Sequence, residues 1–141
     1  MGARKLLSLS VVLLAAVAAA CSKGGGGIAT TVDEWKISLE ESSASAGSVT
    51  FDVNNEGTKV HEFVIFQTDL AEDALPTTTD ENDEVIVDEE GTGLSAVDEV
   101  EDVTPGSSKS LTADLAAGTY VMICNRPGHY EHGMHATFTV S

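Results

Sequence analysis

The stretch from Tyr120 to Met134 constrains the fold most, because a strand-like segment runs directly into a short loop that carries three metal-binding side chains. Cys124 is followed five residues later by His129, and Met134 comes five residues after that. Side chains alternate along a strand, so Tyr120, Met122 and Cys124 should share one face and the cysteine sulfur should point inward. We therefore expect the loop to leave the end of a core strand and to turn back at once.

The side chains on this loop predict a copper site. A thiolate, an imidazole and a thioether are soft and borderline ligands that suit copper, and a blue-copper site uses two His and one Cys with a long axial Met. His61, at the start of an apolar segment, is the candidate for the second histidine. The alternative is that Cys124 is only a buried structural residue, because free cysteine packs like a small hydrophobe.

Other site chemistries fit the residues less well. A structural zinc site usually has several cysteines, and a thioether is a poor zinc ligand. A Cys-His nucleophile is not supported, because Cys124 leads from a strand into a loop instead of opening a helix. We therefore expect that the protein is not an enzyme.

The N-terminus resembles an export signal. Residues 1–20 contain a basic start and an apolar run from Leu6 to Ala20, and small residues precede Cys21. The run is shorter than the roughly twenty residues that a membrane-spanning helix needs. Ala18-Ala19-Ala20-Cys21 is similar to the lipobox of bacterial lipoproteins, which predicts a lipid on Cys21, although ordinary cleavage would also fit these alanines. The glycine-rich residues 21–27 are predicted to form a flexible tether.

After this tether the chain consists of short strand-like segments separated by turn residues. With 141 residues it is long enough for one domain, predicted over residues 28–141. None of these segments has a long helical period. The pattern predicts an all-β fold, an antiparallel Greek-key β-sandwich. The predicted strands are residues 32–39, 49–53, 60–66, 108–115, 119–124 and 135–140.

The chain is strongly acidic, with 23 Asp and Glu against 7 Lys and Arg and a net charge of −16. This charge argues against nucleic acid as a partner and favours a cationic one, although acidity can also serve solubility alone. More than half of the acids fall in residues 69–102, which we interpret as an acidic insertion with at least one short strand around Val85–Val87. The insertion is either a surface that steers a cationic partner or a solubilising loop.

The C-terminal part resembles the cupredoxins, small blue-copper domains of the plastocyanin and azurin type. Gly118-Thr119-Tyr120 leads into Cys124-x4-His129-x4-Met134, and this spacing is similar to that of the plant phytocyanins. The resemblance implies one mononuclear type 1 copper ion. By the same resemblance, His129 would be the near-surface ligand through which electrons leave. The implied equatorial ligands are His61, Cys124 and His129, and the axial ligand is Met134.

Three further residues bear on this site. Many cupredoxins have Asn directly after the first ligand histidine, whereas this chain has Glu62. Glu62 could itself ligate, but neighbouring residues on a strand face opposite ways, which favours His61. His132 and His135 could belong to another metal site, but we predict that both are surface histidines.

Two functions follow from these observations. The first is a membrane-tethered one-electron carrier that cycles between Cu(I) and Cu(II) outside the cytoplasm, on the outer face of the cytoplasmic membrane or in the periplasm. Its partner would be a cationic redox protein such as a c-type cytochrome or an oxidase domain. The alternative is a copper storage or delivery module, and a weaker possibility is a cupredoxin-like scaffold. The closed set of two histidines, one cysteine and one methionine favours the carrier.

Overall fold

A computed structural model describes residues 26–141 of the chain. The predicted signal peptide, the lipidated Cys21 and all but the last two tether residues lie outside the described residues. No helix long and apolar enough to cross a membrane occurs within residues 26–141. The described residues form eleven strands. They are β1 (Ile28–Asp33), β2 (Lys36–Leu39), β3 (Ser43–Ala44), β4 (Gly47–Asn55), β5 (His61–Gln67), β6 (Thr77–Thr79), β7 (Val85–Val87), β8 (Ser95–Val103), β9 (Ser108–Leu115), β10 (Gly118–Ile123) and β11 (His135–Val140).

Two sheets face each other and form the predicted all-β sandwich. The first has the order β2-β1-β4-β9, the second has the order β3-β11-β10-β5-β8, and β6 and β7 form a separate hairpin. The expectation of purely antiparallel sheets is wrong, because β1 pairs in parallel with β4 and β11 pairs in parallel with β3. Between β2 and β4, which belong to the first sheet, the chain crosses to the second sheet and forms β3 there. This crossover lets β4 return beside β1 in the same direction.

The main core lies between the sheets and follows from alternation along the strands. In β4, Val49, Phe51 and Val53 point inward, while the residues between them are exposed or half-buried. The Phe51 ring lies 5.4 Å from the ring of Phe63 and 5.3 Å from that of Phe138, so the two sheets interlock through aromatic side chains. Full burial of a side chain of this kind contributes about 1.5–3 kcal/mol.

A second apolar cluster covers the outer face of the second sheet. Val121 and Ile123 of β10 belong to it, whereas Tyr120, Met122 and Cys124 belong to the main core. The alternation predicted for this segment is therefore confirmed. Strand β5 is buried on both faces. The covering residues are Leu75, Val87 and Tyr130.

The prediction of one continuous strand over residues 32–39 is wrong. Strand β1 ends at Asp33 and β2 begins at Lys36, so Glu34 and Trp35 form the turn of a hairpin. Val32 and Ile37 pair directly across this hairpin and are both core residues. An alternating pattern continues through such a turn when it lacks the Gly or Asn that usually marks one.

The acidic segment 69–102 is only partly a loop. Its Val85–Val87 triplet forms β7, as predicted, and pairs with β6. Its last residues belong to β8, which pairs with β5 and forms an edge of the second sheet. Charged side chains along an edge strand oppose pairing with another chain. The exposed residues of β8 include Asp98, Glu99, Glu101 and Asp102.

Candidate metal centre

The candidate ligands come from three strand ends that meet at one end of the second sheet. Strand β10 lies between β5 and β11 and runs antiparallel to both. The end of β10 therefore lies beside the starts of the other two strands. His61 is the first residue of β5, Cys124 directly follows β10, and Met134 directly precedes β11. The sheet topology thus gathers ligands that are far apart in sequence.

Three of the four predicted ligands converge on one small volume. The Nδ1 atoms of His61 and His129 lie 3.2 Å apart, and the Cys124 Sγ lies 3.2 Å from His129 Nδ1 and 3.8 Å from His61 Nδ1. His61 and Cys124 are fully buried and His129 is 8% exposed. Three donor atoms that face one another within 4.8 Å fit a single metal ion, since one ion can bind all three lone pairs at once.

The Met134 backbone is hydrogen-bonded to two of the other predicted ligands. Its carbonyl oxygen accepts a hydrogen bond from the Cys124 N–H at 3.1 Å, and its own N–H donates to the His129 carbonyl oxygen at 3.2 Å. The side chain is fully buried and packs in the same core cluster as Cys124. Its role as the axial ligand stays a prediction.

The loop between Cys124 and Met134 is closed by its own hydrogen bonds and by two glycines. The His129 N–H donates to the Arg126 carbonyl oxygen at 2.9 Å, and the Gly133 N–H donates to the Tyr130 carbonyl oxygen at 2.9 Å. Gly128 and Gly133 have φ values of 75° and 106°, which side-chain-bearing residues rarely adopt. The loop therefore holds the side chain of His129 in place without a strand or helix of its own.

Burial determines the protonation of the metal-free site. Desolvation raises the pKa of the Cys124 thiol to about 11, although the Glu62 N–H donates to its sulfur at 3.3 Å. Desolvation also lowers the pKa of His129 to about 4, and it lowers the pKa of His61. At neutral pH the imidazoles are therefore neutral, which is their ligand form, and a thiol that coordinates a metal loses its proton.

Two residues that the sequence did not reveal contact the histidines. One Glu34 carboxylate oxygen lies 3.2 Å from His61 Nε2, on the side of the ring away from the cluster. The Trp35 ring packs edgewise on His129 at 4.9 Å and stacks on His132 at 4.5 Å. Neither residue belongs to a ligand motif. Only a prediction of the β1–β2 turn would have indicated that these two residues lie near the site.

The remaining candidates lie outside the donor cluster, which is formed by His61, Cys124 and His129. The Glu62 carboxylate pairs with Arg126 at 3.6 Å. His132 is exposed, as predicted. The prediction of a surface position is wrong for His135, which is half-buried between the Tyr130 ring and Glu72, with Nδ1 lying 3.3 Å from the carboxylate. Its position follows from the second apolar cluster, because Tyr130 of that cluster covers its ring.

The comparisons with known proteins agree with this geometry. The sulfocyanin (SoxE) domain family matches residues 11–141. The chain belongs to the sulfocyanin family. The predicted resemblance to the cupredoxins is therefore confirmed, and the cluster of two histidines and one cysteine in this sulfocyanin domain suits one mononuclear copper ion. No curated protein sequence matches the chain.

Solved structures similar to this sulfocyanin domain confirm the cupredoxin fold. Reduced auracyanin from Roseiflexus castenholzii is 23% identical, covers 82% of this chain and 96% of its own, and has a TM-score of 0.57. Auracyanin A from Chloroflexus aurantiacus, described as a "blue" copper protein, is 21% identical over 82% of this chain and 100% of its own, with a TM-score of 0.54. Rusticyanin from Thiobacillus ferrooxidans is 18% identical over 83% and 79%, with a TM-score of 0.52.

Proposed function

We propose that this protein is a membrane-tethered one-electron carrier that holds one type 1 copper ion outside the cytoplasm. The observation that carries the proposal is the convergence of two imidazole Nδ1 atoms and one thiol sulfur in a buried cluster. Copper bound there supplies a Cu(I)/Cu(II) couple that exchanges a single electron. The proposed ligands are His61, Cys124, His129 and Met134.

The protein's own contribution is to hold these side chains still and to exclude water. His61 and Cys124 are attached to paired strands, and the backbone hydrogen bonds of Met134 tie the loop to both Cys124 and His129. Cys124 has no solvent-exposed surface, so its sulfur is not in contact with bulk water. A site that hardly rearranges between two oxidation states favours fast electron transfer, whereas a delivery module needs an accessible exit for its ion.

A copper titration of the purified protein tests the assignment. We expect one equivalent of Cu(II) to give an intense visible thiolate-to-copper band with narrow hyperfine splitting in electron spin resonance. Cys124→Ala should remove the band while the sandwich stays folded. Met122→Leu is the matched control, because Met122 is equally buried in the same core but is not a proposed ligand. An unchanged visible spectrum in Cys124→Ala would overturn the assignment.

Copper retention separates a carrier from a storage or delivery module. We expect the protein to keep its copper through repeated reduction and reoxidation in the presence of a Cu(I) chelator of comparable affinity. Surrender of the ion to the chelator within a few cycles would favour delivery. The burial of the donor cluster supports retention, since His129, its most exposed member, is only 8% exposed.

We further propose that the domain is exported and anchored by lipid on Cys21, and that its redox partner is cationic. The sequence motif Ala18-Ala19-Ala20-Cys21 and the net charge of −16 support these two points. Mass spectrometry of the mature N-terminus should find a diacylglyceryl group on Cys21. Cys21→Ser should lack this group, whereas a wild-type mature N-terminus without it would contradict lipid anchoring.

A further inference from the structure

The turn between β1 and β2 contacts both histidines of the metal centre. Glu34 and Trp35 are the two residues of this turn. Glu34 faces His61 and Trp35 faces His129. The turn is a separate element from the ligand loop, because β1 and β2 belong to the other sheet of the sandwich.

The Glu34 carboxylate is held in place before it meets His61. It accepts hydrogen bonds from the Thr58 N–H at 3.0 Å and from the Lys59 N–H at 2.7 Å. A Cβ atom at Gly57 would lie only 2.7 Å from one Glu34 carboxylate oxygen, so the absence of a side chain there makes room for the carboxylate. The carboxylate is therefore fixed to the segment that leads directly into His61.

The contact with Glu34 determines which nitrogen of His61 carries the ring proton. An ionised carboxylate only accepts hydrogen bonds, so the His61 Nε2 atom at 3.2 Å must carry the ring proton. The Nδ1 lone pair is then free and points at Cys124 and His129. A carboxylate behind a ligand histidine fixes its tautomer and raises its basicity.

We infer that Glu34 is a positioning residue for the copper site, which orients His61 through its Nε2–H and lowers the midpoint potential. This inference rests on the proposed function. A more basic Nδ1 and a nearby negative charge both stabilise the more highly charged Cu(II) state.

Four variants separate the hydrogen bond from the charge. Glu34→Gln keeps an oxygen acceptor and removes the charge, and Glu34→Ala removes both. Asp33→Asn is the matched control, because Asp33 is the neighbouring carboxylate and makes no hydrogen bond to His61. Gly57→Ala leaves Glu34 in the sequence but pushes its flexible carboxylate out of place.

Two measurements test the inference. In the copper-loaded protein, the midpoint potential should rise more in Glu34→Gln than in Asp33→Asn, and it should also rise in Gly57→Ala. In the metal-free protein, the ¹⁵N shifts of the His61 ring should show a proton on Nε2 in the wild type and in Glu34→Gln. In Glu34→Ala the same shifts should indicate a mixture of tautomers.

The outcomes distinguish the two proposals. Equal potentials in Glu34→Gln and Asp33→Asn, together with an unchanged His61 tautomer in Glu34→Ala, would overturn the positioning role while the blue copper site stands. A wild-type protein without the intense visible band would overturn the proposed function instead. The tautomer measurement uses no copper, so it would still decide whether Glu34 orients His61.

Discussion

At the scale of single residues, the hydroxyls of two buried tyrosines have different partners. The Tyr120 hydroxyl donates to the Ala116 carbonyl oxygen at 2.8 Å, next to the turn before β10. The Tyr130 hydroxyl donates to the Glu72 carbonyl oxygen and accepts from the buried Leu75 N–H, both at 2.9 Å. The Tyr120 side chain lies in the main core, and its hydroxyl is bonded to backbone beside a turn.

We expect Tyr120→Phe to lower the free energy of unfolding by about 1 kcal/mol, because one ordinary hydrogen bond is lost. Tyr130→Phe should lower it by about 1–3 kcal/mol, because the buried Leu75 N–H then has no acceptor. Urea unfolding of the metal-free protein measures both changes. A smaller loss in Tyr130→Phe than in Tyr120→Phe would contradict this ranking.

Three residues of the site could be predicted from the sequence, whereas Glu34 could not. His61, Cys124 and His129 were found because each offers a ligand atom of its own and two of them lie on one short loop. Glu34 was missed because its role depends on a turn between two strands that alternate without interruption. A contact between a turn and a ligand in the other sheet is a tertiary property, and a single sequence carries no local signal for it.

At the scale of elements, the β6–β7 hairpin is joined to the ligand loop. The Asn125 side-chain oxygen accepts from the Val87 N–H at 2.7 Å, and its amide nitrogen donates to the Val87 carbonyl oxygen at 3.2 Å. The Gly128 N–H donates to the Val85 carbonyl oxygen at 2.8 Å. The hairpin therefore braces the loop that carries His129. The acidic composition of this segment gave no indication of that contact, because most of these hydrogen bonds are made by backbone atoms of the hairpin. One acid does take part, since the Glu89 carboxylate accepts from the Asn125 amide nitrogen at 2.8 Å.

Asn125→Ala should detach this hairpin locally. Both side-chain hydrogen bonds to Val87 are lost, so we expect the Val87 amide to exchange with deuterium tenfold faster or more, which corresponds to about 1.4 kcal/mol. Asn82→Ala is the control, because Asn82 lies in the hairpin's own exposed turn. Equal acceleration of Val87 exchange in the two variants would show that Asn125 has no special part in the contact.

At the scale of the whole molecule, net charge and its distribution should affect the rate of electron transfer. The chain carries −16 in total, and β8 brings Glu101 to the end of the sheet that holds the metal centre, since Val103 pairs with His61. Asp114 lies at the end of the sandwich away from the metal centre. It pairs with Ser48 near the start of β4, whereas Asn55 at the end of β4 bonds to Val103 beside His61. The electrostatic field of these negative charges attracts a cationic partner. The distance over which the field acts shortens from about 30 Å in 0.01 M salt to about 10 Å in 0.1 M salt.

We therefore expect the rate of reaction with a cationic one-electron reagent to fall as salt is added, and the rate with an anionic reagent to rise. Stopped-flow absorbance of the copper band measures both. At low salt, Glu101→Gln should slow the reaction with the cationic reagent more than Asp114→Asn does, although each substitution removes one negative charge. If both variants slowed it equally, only the total charge would matter. If neither reagent responded to salt, the acidity would serve solubility alone and would not guide a partner to the metal centre.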